Sequence, residues 1–167
     1  MKSKTIIVLL LTAFISLSCD HGLAPPPSER IEQGITGTIY YQGTFPTNIT
    51  AHYFFASKVF RHFRDFEEIY LLVLQPDSIQ LYPELPKHKI DSISYRFVLP
   101  PAVYKYIAIA QAHGDMSQMQ NWKIVGLYTS DSIRVAPDTV IVETGKFVEN
   151  VNIYVDYDSL PPQPFDN

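Results

Sequence analysis

The run Ser92-Ile93-Ser94-Tyr95-Arg96-Phe97-Val98-Leu99-Pro100-Pro101-Ala102-Val103-Tyr104-Lys105-Tyr106 decides how this chain is read. Side chains on a strand alternate between two faces, so Ile93, Tyr95, Phe97 and Leu99 point one way and Ser92, Ser94 and Arg96 the other. This is the pattern of a strand with one buried face. Proline has no N–H to give to a ladder, so Pro100-Pro101 ends the strand. Tyr104 to His113 then returns, with only Ala102 and Val103 to bring the chain round. The expectation is a tight antiparallel pair, with negative φ at Ala102 and at the stiff, β-branched Val103.

The same alternation recurs on both sides of this run. Ile35 to Tyr41, Ile49 to Phe60, Trp122 to Tyr128, Thr139 to Glu143 and Asn150 to Tyr157 read as further strands. In the last of these Val151, Ile153 and Val155 share a face. Seven strands without helical periods between them predict an all-β fold, an antiparallel β-sandwich of seven to eight strands. Phe66 to Leu74 is the one ambiguous stretch. Phe66, Ile69, Tyr70 and Val73 fit a helical face, and Glu67 and Glu68 would suit its first turn, but a short buried strand fits as well. A short helix is the preferred reading.

Outside residues 31–158, the expected β-sandwich domain, the composition changes. Lys2 and Lys4 precede thirteen uncharged residues, Thr5 to Leu17, too few for the roughly 20 that a spanning helix needs. Residues 1–18 therefore read as a signal peptide. Ser16-Leu17-Ser18-Cys19 resembles the lipobox of bacterial lipoproteins, which implies cleavage before Cys19 and acylation of that thiol. The family usually has Leu where this chain has Ser16, and Ser16 with Ser18 also satisfies an ordinary secretory cleavage site. Cys19 is the single cysteine, so no internal disulfide can form. The resemblance implies a bacterial envelope location, with the domain held by lipid to the outer membrane or cell surface. Residues 19–30 contain Pro25-Pro26-Pro27 and read as a stiff, lipidated spacer. Residues 159–167, with three prolines, read as a tail laid over the surface or left loose.

Tyr95 to Tyr106, with Gly34 to Tyr41 as an opening strand and Val151 to Tyr157 as a closing one, resembles carboxypeptidase regulatory-like, transthyretin-like domains. In them a strand ends in Leu-Pro and a Tyr opens the next strand across a turn. This implies a transthyretin-like or immunoglobulin-like sandwich serving as an accessory module, without catalysis. The family usually has glycine where Ala102 stands, so the turn here must suit L-residues.

Composition narrows function further. With Lys2 and Lys4 removed from the 13 basic residues, 11 remain against 17 acidic ones, a net charge of −6. No basic stripe is left for phosphates, so nucleic acid is not an expected partner. No H-E-x-x-H, G-x-S-x-G, P-loop or G-x-G-x-x-G pattern occurs, nor the Tyr-Arg-Gly-Ser ending of the hydroxyisourate-hydrolysing branch of transthyretin-like folds. No cofactor or metal is implied. His113-Gly114-Asp115 reads either as a ligand or metal loop or as an Asp-stabilised turn around glycine, the commoner use. Trp122, with Tyr104, Tyr106 and Tyr128, reads either as a platform for sugar faces or as core. The candidate ligand-binding residues are thus His113, Asp115 and Trp122, and the expected function is a membrane-anchored, non-catalytic module binding a protein or a glycan. A structural component of the envelope without a small ligand is the alternative.

Acylation at Cys19 has a direct check. Cys19→Ala should abolish labelling by a fatty-acid analogue and move the protein out of the detergent phase. Unchanged partitioning of that variant would rule the lipid anchor out.

Overall fold

A computed structural model describes residues 31–61, 68, 71, 72, 74, 75, 77–131 and 136–164. Among them the strands are β1 Gly34–Gln42, β2 Ile49–Ser57, β3 Ile79–Leu81, β4 Ser92–Val98, β5 Ala102–Tyr104, β6 Tyr106–His113, β7 Trp122–Leu127, β8 Val140–Val142, β9 Phe147–Val148 and β10 Ile153–Asp156. One 3-10 turn spans Met119–Asn121. Within the ambiguous stretch Glu68, Leu71, Leu72 and Leu74 are helical, and its other residues lie outside those described. Cys19 lies outside them too.

The strands form one large sheet in the order β3-β2-β6-β7-β10-β1-β4, with β9 added beside β1, and a separate pair β5-β8. The expectation of a purely antiparallel sheet is corrected here: β1 runs parallel to β10 and to β9. A hairpin forces its two strands to run oppositely. No hairpin links the first and last long strands, and their direction is left to the path of the chain between them.

The sheet is curled. β2 and β4 are far apart in strand order, yet the Phe54 ring of β2 lies 4.7 Å from Tyr95 and 5.2 Å from Phe97 of β4, centroid to centroid. Tyr82, just beyond β3, closes the group at 5.6 Å from Phe54 and 5.3 Å from Phe97. Opposite ends of the sheet thus share one core, joined by Ile35 and Ile39 of β1, Ile107 and Ile109 of β6, and Ile153 and Val155 of β10. The phase expected for β4 holds: Tyr95, Phe97 and Leu99 are buried, Ile93 packs against them, and Ser92, Ser94 and Arg96 are exposed. Tyr95 crosses its register partner Gly37 to donate its hydroxyl to the carbonyl of Val151. A Cβ on Gly37 would come within 2.3 Å of that oxygen, so the close approach requires glycine.

The expected hairpin at Pro100-Pro101 is not formed. β4 pairs with β1, whereas β6 pairs with β2 and β7, so the proline pair marks a crossing between distant parts of the sheet. Ala102 to Tyr104 instead form β5 and pair with Val140 to Val142. The crossing is pinned by Tyr104, whose buried ring donates its hydroxyl to Pro100 O at 3.0 Å. The only non-glycine residues with positive φ among those described are Asp77 and Asn150, so Ala102 and Val103 keep negative φ. Prolines end a ladder equally well before a turn or a crossing, which is why sequence alone did not separate the two.

β6 is buried on both faces. Tyr106, Ala108 and Ala110 face away from the main core and pack with Ile124, Leu127, Phe55 and Trp122. Leu72 adds a smaller cluster with Ile79, Met119 and Trp122. Of the expected tail, residues 159–164 are described. Pro161 and Pro164 are buried, and the Gln163 amide accepts from Ile124 N at 2.8 Å and donates to Ile124 O at 3.0 Å. β10 reaches only as far as Gly126 and Leu127 of β7, so this amide supplies the pairing that β10 does not.

Truncating Phe54 or Phe97 to Ala should each cost roughly 3–5 kcal/mol, from lost transfer energy and the cavity left between β2 and β4. Urea denaturation of the two variants measures this. A loss below about 1 kcal/mol would mean that the rings do not hold the curl closed.

Candidate functional site

A glutamine interrupts the apolar run of β6. Tyr106-Ile107-Ala108-Ile109-Ala110 is followed by Gln111, and period two carries Gln111 onto the inner face with Ile107 and Ile109. It is fully buried. Its register partner on β2 is His52, also fully buried, and its partner on β7 is the exposed Lys123. Lys123, Gln111 and His52 therefore form a polar row across three strands, running from the surface into the interior.

The outer part of this row opens into a cavity of about 430 Å³. Its polar lining comprises Asn48, Gln111, His113, Gln120, Asn121 and Lys123. Val125, Pro46, Leu160 and the ring of Tyr157 complete it. Tyr157 also lines a smaller cavity of about 160 Å³ on its other side, together with Tyr41, Phe45, Lys89 and Asp91. The Tyr157 ring is fixed by Phe45 edge-on at 5.4 Å and by Tyr41, stacked at 6.3 Å.

Among the described residues three buried polar atoms in this region lack a hydrogen-bond partner: Gln111 Oε1, His52 Nε2 and the Tyr41 hydroxyl. Gln111 Nε2 donates to the Tyr157 hydroxyl at 3.0 Å, which leaves the other end of the amide open. His52 Nδ1 lies 2.8 Å from Pro86 O, and since a carbonyl only accepts, Nδ1 carries the proton and Nε2 is left as an acceptor. Tyr41 packs edge-on to His52 at 5.9 Å. An unmade buried hydrogen bond costs roughly 1–3 kcal/mol, so Gln111, His52 and Tyr41 each weigh against the stability of the fold.

Burial governs the titration of these groups. It lowers the pKa of His52, with the Pro86 hydrogen bond opposing it, and raises that of Tyr157 to about 12. Tyr41 is raised further by burial and by Tyr157. His113 is lowered by burial and then by Lys123. The phenols and imidazoles are neutral at pH 7, and Lys123 is the formal charge on the cavity wall.

Of the residues singled out in the sequence, His113 lines the cavity, with Nδ1 3.2 Å from Asn48 Oδ1. Asp115 does not. Its carboxylate accepts from the N–H and hydroxyl of Ser117 at 2.9 and 2.8 Å and closes the turn after β6. Trp122 faces the other side of β7, stacked on Tyr53 at 6.1 Å, with its indole N–H donating to Met116 O at 2.8 Å. The structure thus separates these three residues. Gln111, Lys123 and Asn121 were not singled out, although a glutamine inside an apolar strand is the signal that could have found them. No protein-family model, curated protein or solved structure matches this chain.

His52 makes stability depend on pH. Its folded pKa lies below the ordinary value of about 6.5, so protonation favours the unfolded chain. Its contribution is complete above that value and is lost as pH falls from about 6.5 toward the folded pKa. Thermal melts between pH 7.5 and 5 should show declining stability, with a shallower decline for His52→Gln. His113 shifts in the same direction but is present in both proteins, so parallel slopes would eliminate His52 as the cause.

Proposed function

We propose that this protein is a non-catalytic binding module, a β-sandwich tethered outside the cytoplasm through Cys19, that takes a glycan in the Gln111 cavity. The carrying observation is the cavity wall: amides from Asn48, Gln111, Gln120 and Asn121, one of them wholly buried with an open oxygen. Amides donate and accept hydrogen bonds without titrating, so they can hold and orient a hydroxyl but not carry its proton through a reaction. A volume of about 430 Å³ falls within the range of small-ligand sites. The curled sheet, with β2 and β4 facing each other across one core, supports the sandwich reading.

A second reading draws on a different observation. β4 ends the strand order, so among the described residues one of its edges has no strand beside it, and Val98 on it is half exposed. An open edge of this kind accepts an extended segment from a protein partner.

The two readings are separated by screening the full-length protein, held in detergent, against a glycan array. Asn121→Ala should weaken any glycan signal severalfold, while a variant of the β4 edge, Val98→Lys, should leave it unchanged. A signal that survives Asn121→Ala and is lost in Val98→Lys would transfer the binding function to the sheet edge.

A further inference from the structure

Resting on the reading of the Gln111 cavity as a glycan site, we propose that its ligand is a sugar acid, bound with its carboxylate at Lys123 and a hydroxyl on the open end of the Gln111 amide. The charge of the site carries the first half. The chain is acidic, with 17 acidic against 13 basic residues, yet among the described residues no carboxylate lines this cavity. Lys123 makes no ion pair among the described residues. It stands directly opposite Gln111 in the β6–β7 register, so cation and buried amide face one space. A neutral ligand would leave that cation unused. A carboxylate meets it with a charge-assisted hydrogen bond, the stronger kind.

The open hydrogen-bonding atoms carry the second half. Gln111 Oε1 is buried without a partner. Asn121 gives one amide N–H to Asp115 O, and Gln120 gives one of its own to Gln118 Oε1, so each keeps a second N–H and its oxygen for a ligand. One cavity wall thus carries amides that both donate and accept, one of them buried with an unpartnered oxygen, beside a single cation. Neighbouring hydroxyls on a pyranose ring supply closely spaced donors. The C-terminus of a peptide also offers a carboxylate, but its N–H donors stand a residue apart. An acidic sugar meets the whole set.

The test is calorimetric titration of the full-length protein in detergent with galacturonate, glucuronate and N-acetylneuraminate oligosaccharides, against neutral galactose and glucose oligosaccharides of equal length. At least one acidic series should bind about tenfold or more tightly than its neutral counterpart, the scale of one hydrogen bond to a charged group. Lys123→Met should remove that preference and Lys123→Arg should restore most of it. Lys123 is exposed, so neither variant should disturb the fold. Gln111→Met should weaken acidic and neutral ligands alike. Equal binding of acidic and neutral sugars would overturn the charge assignment and leave the glycan reading standing. Binding of a peptide carboxylate in preference to every sugar would overturn both. Failure of all three acidic series to bind would overturn the sugar-acid proposal, and the glycan array then decides the broader reading.

Discussion

The contact of Phe54 with Tyr95 and Phe97 sets the geometry on which everything else in this fold rests. It draws two strands from opposite parts of one sheet into a common core. It also fixes which residues of β2 face inward. Side chains alternate, so burying Phe54 and Ala56 on the inner face commits His52 to that face as well. The same rule on β6 couples Ile107 and Ile109 to Gln111. The polar row is therefore not a separate construction. It is the continuation of two apolar strand faces past the point where apolar side chains fill them.

That continuity explains why a cavity lies at this end of the core. Aromatic rings fill the space around Phe54, whereas beyond His52 and Gln111 the rings present are Tyr41, Tyr157 and Phe45, among mostly polar side chains. Tyr41 stacks on Tyr157 and Phe45 meets it edge-on, and Tyr157 lines a cavity on each side instead of filling the space. Unmade hydrogen bonds in such a place are a standing cost to the folded state, and a partner that satisfies them stabilises that state by mass action.

Much of the architecture was legible from alternation alone. The inner faces of β4 and of β10 follow from period two, because each strand has one buried and one exposed side. β6 is buried on both sides and shows no alternation, so its strand character came from apolar content and its two faces were not distinguished. Pairing was the least legible feature. Nothing within Ser92 to Tyr106 says whether the chain turns back or crosses over, because that depends on where β2 and β7 already stand. β3 and β9 are three and two residues long, too short for any period to appear. The site was missed for a related reason. Gln111 and Lys123 are twelve positions apart in sequence and become neighbours only through the register of β6 with β7, while Asp115 and Trp122 lie close to the site in sequence but face elsewhere.

The parallel pairing of β1 with β10 bears on the order in which the chain acquires its structure. Gln42 and Asp156 are partners 114 positions apart, so in a chain exported as proposed β1 emerges on the far side of the membrane long before its neighbour does. β4 can cover one edge of β1 early, but the other edge stays open until the last long strand arrives. Contacts of such separation slow folding and leave an exposed edge free to pair with other chains in the interval. Until β10 joins it, that edge of β1 is the part of the fold most open to association, and any chaperone that guards the chain would have most to do in that interval.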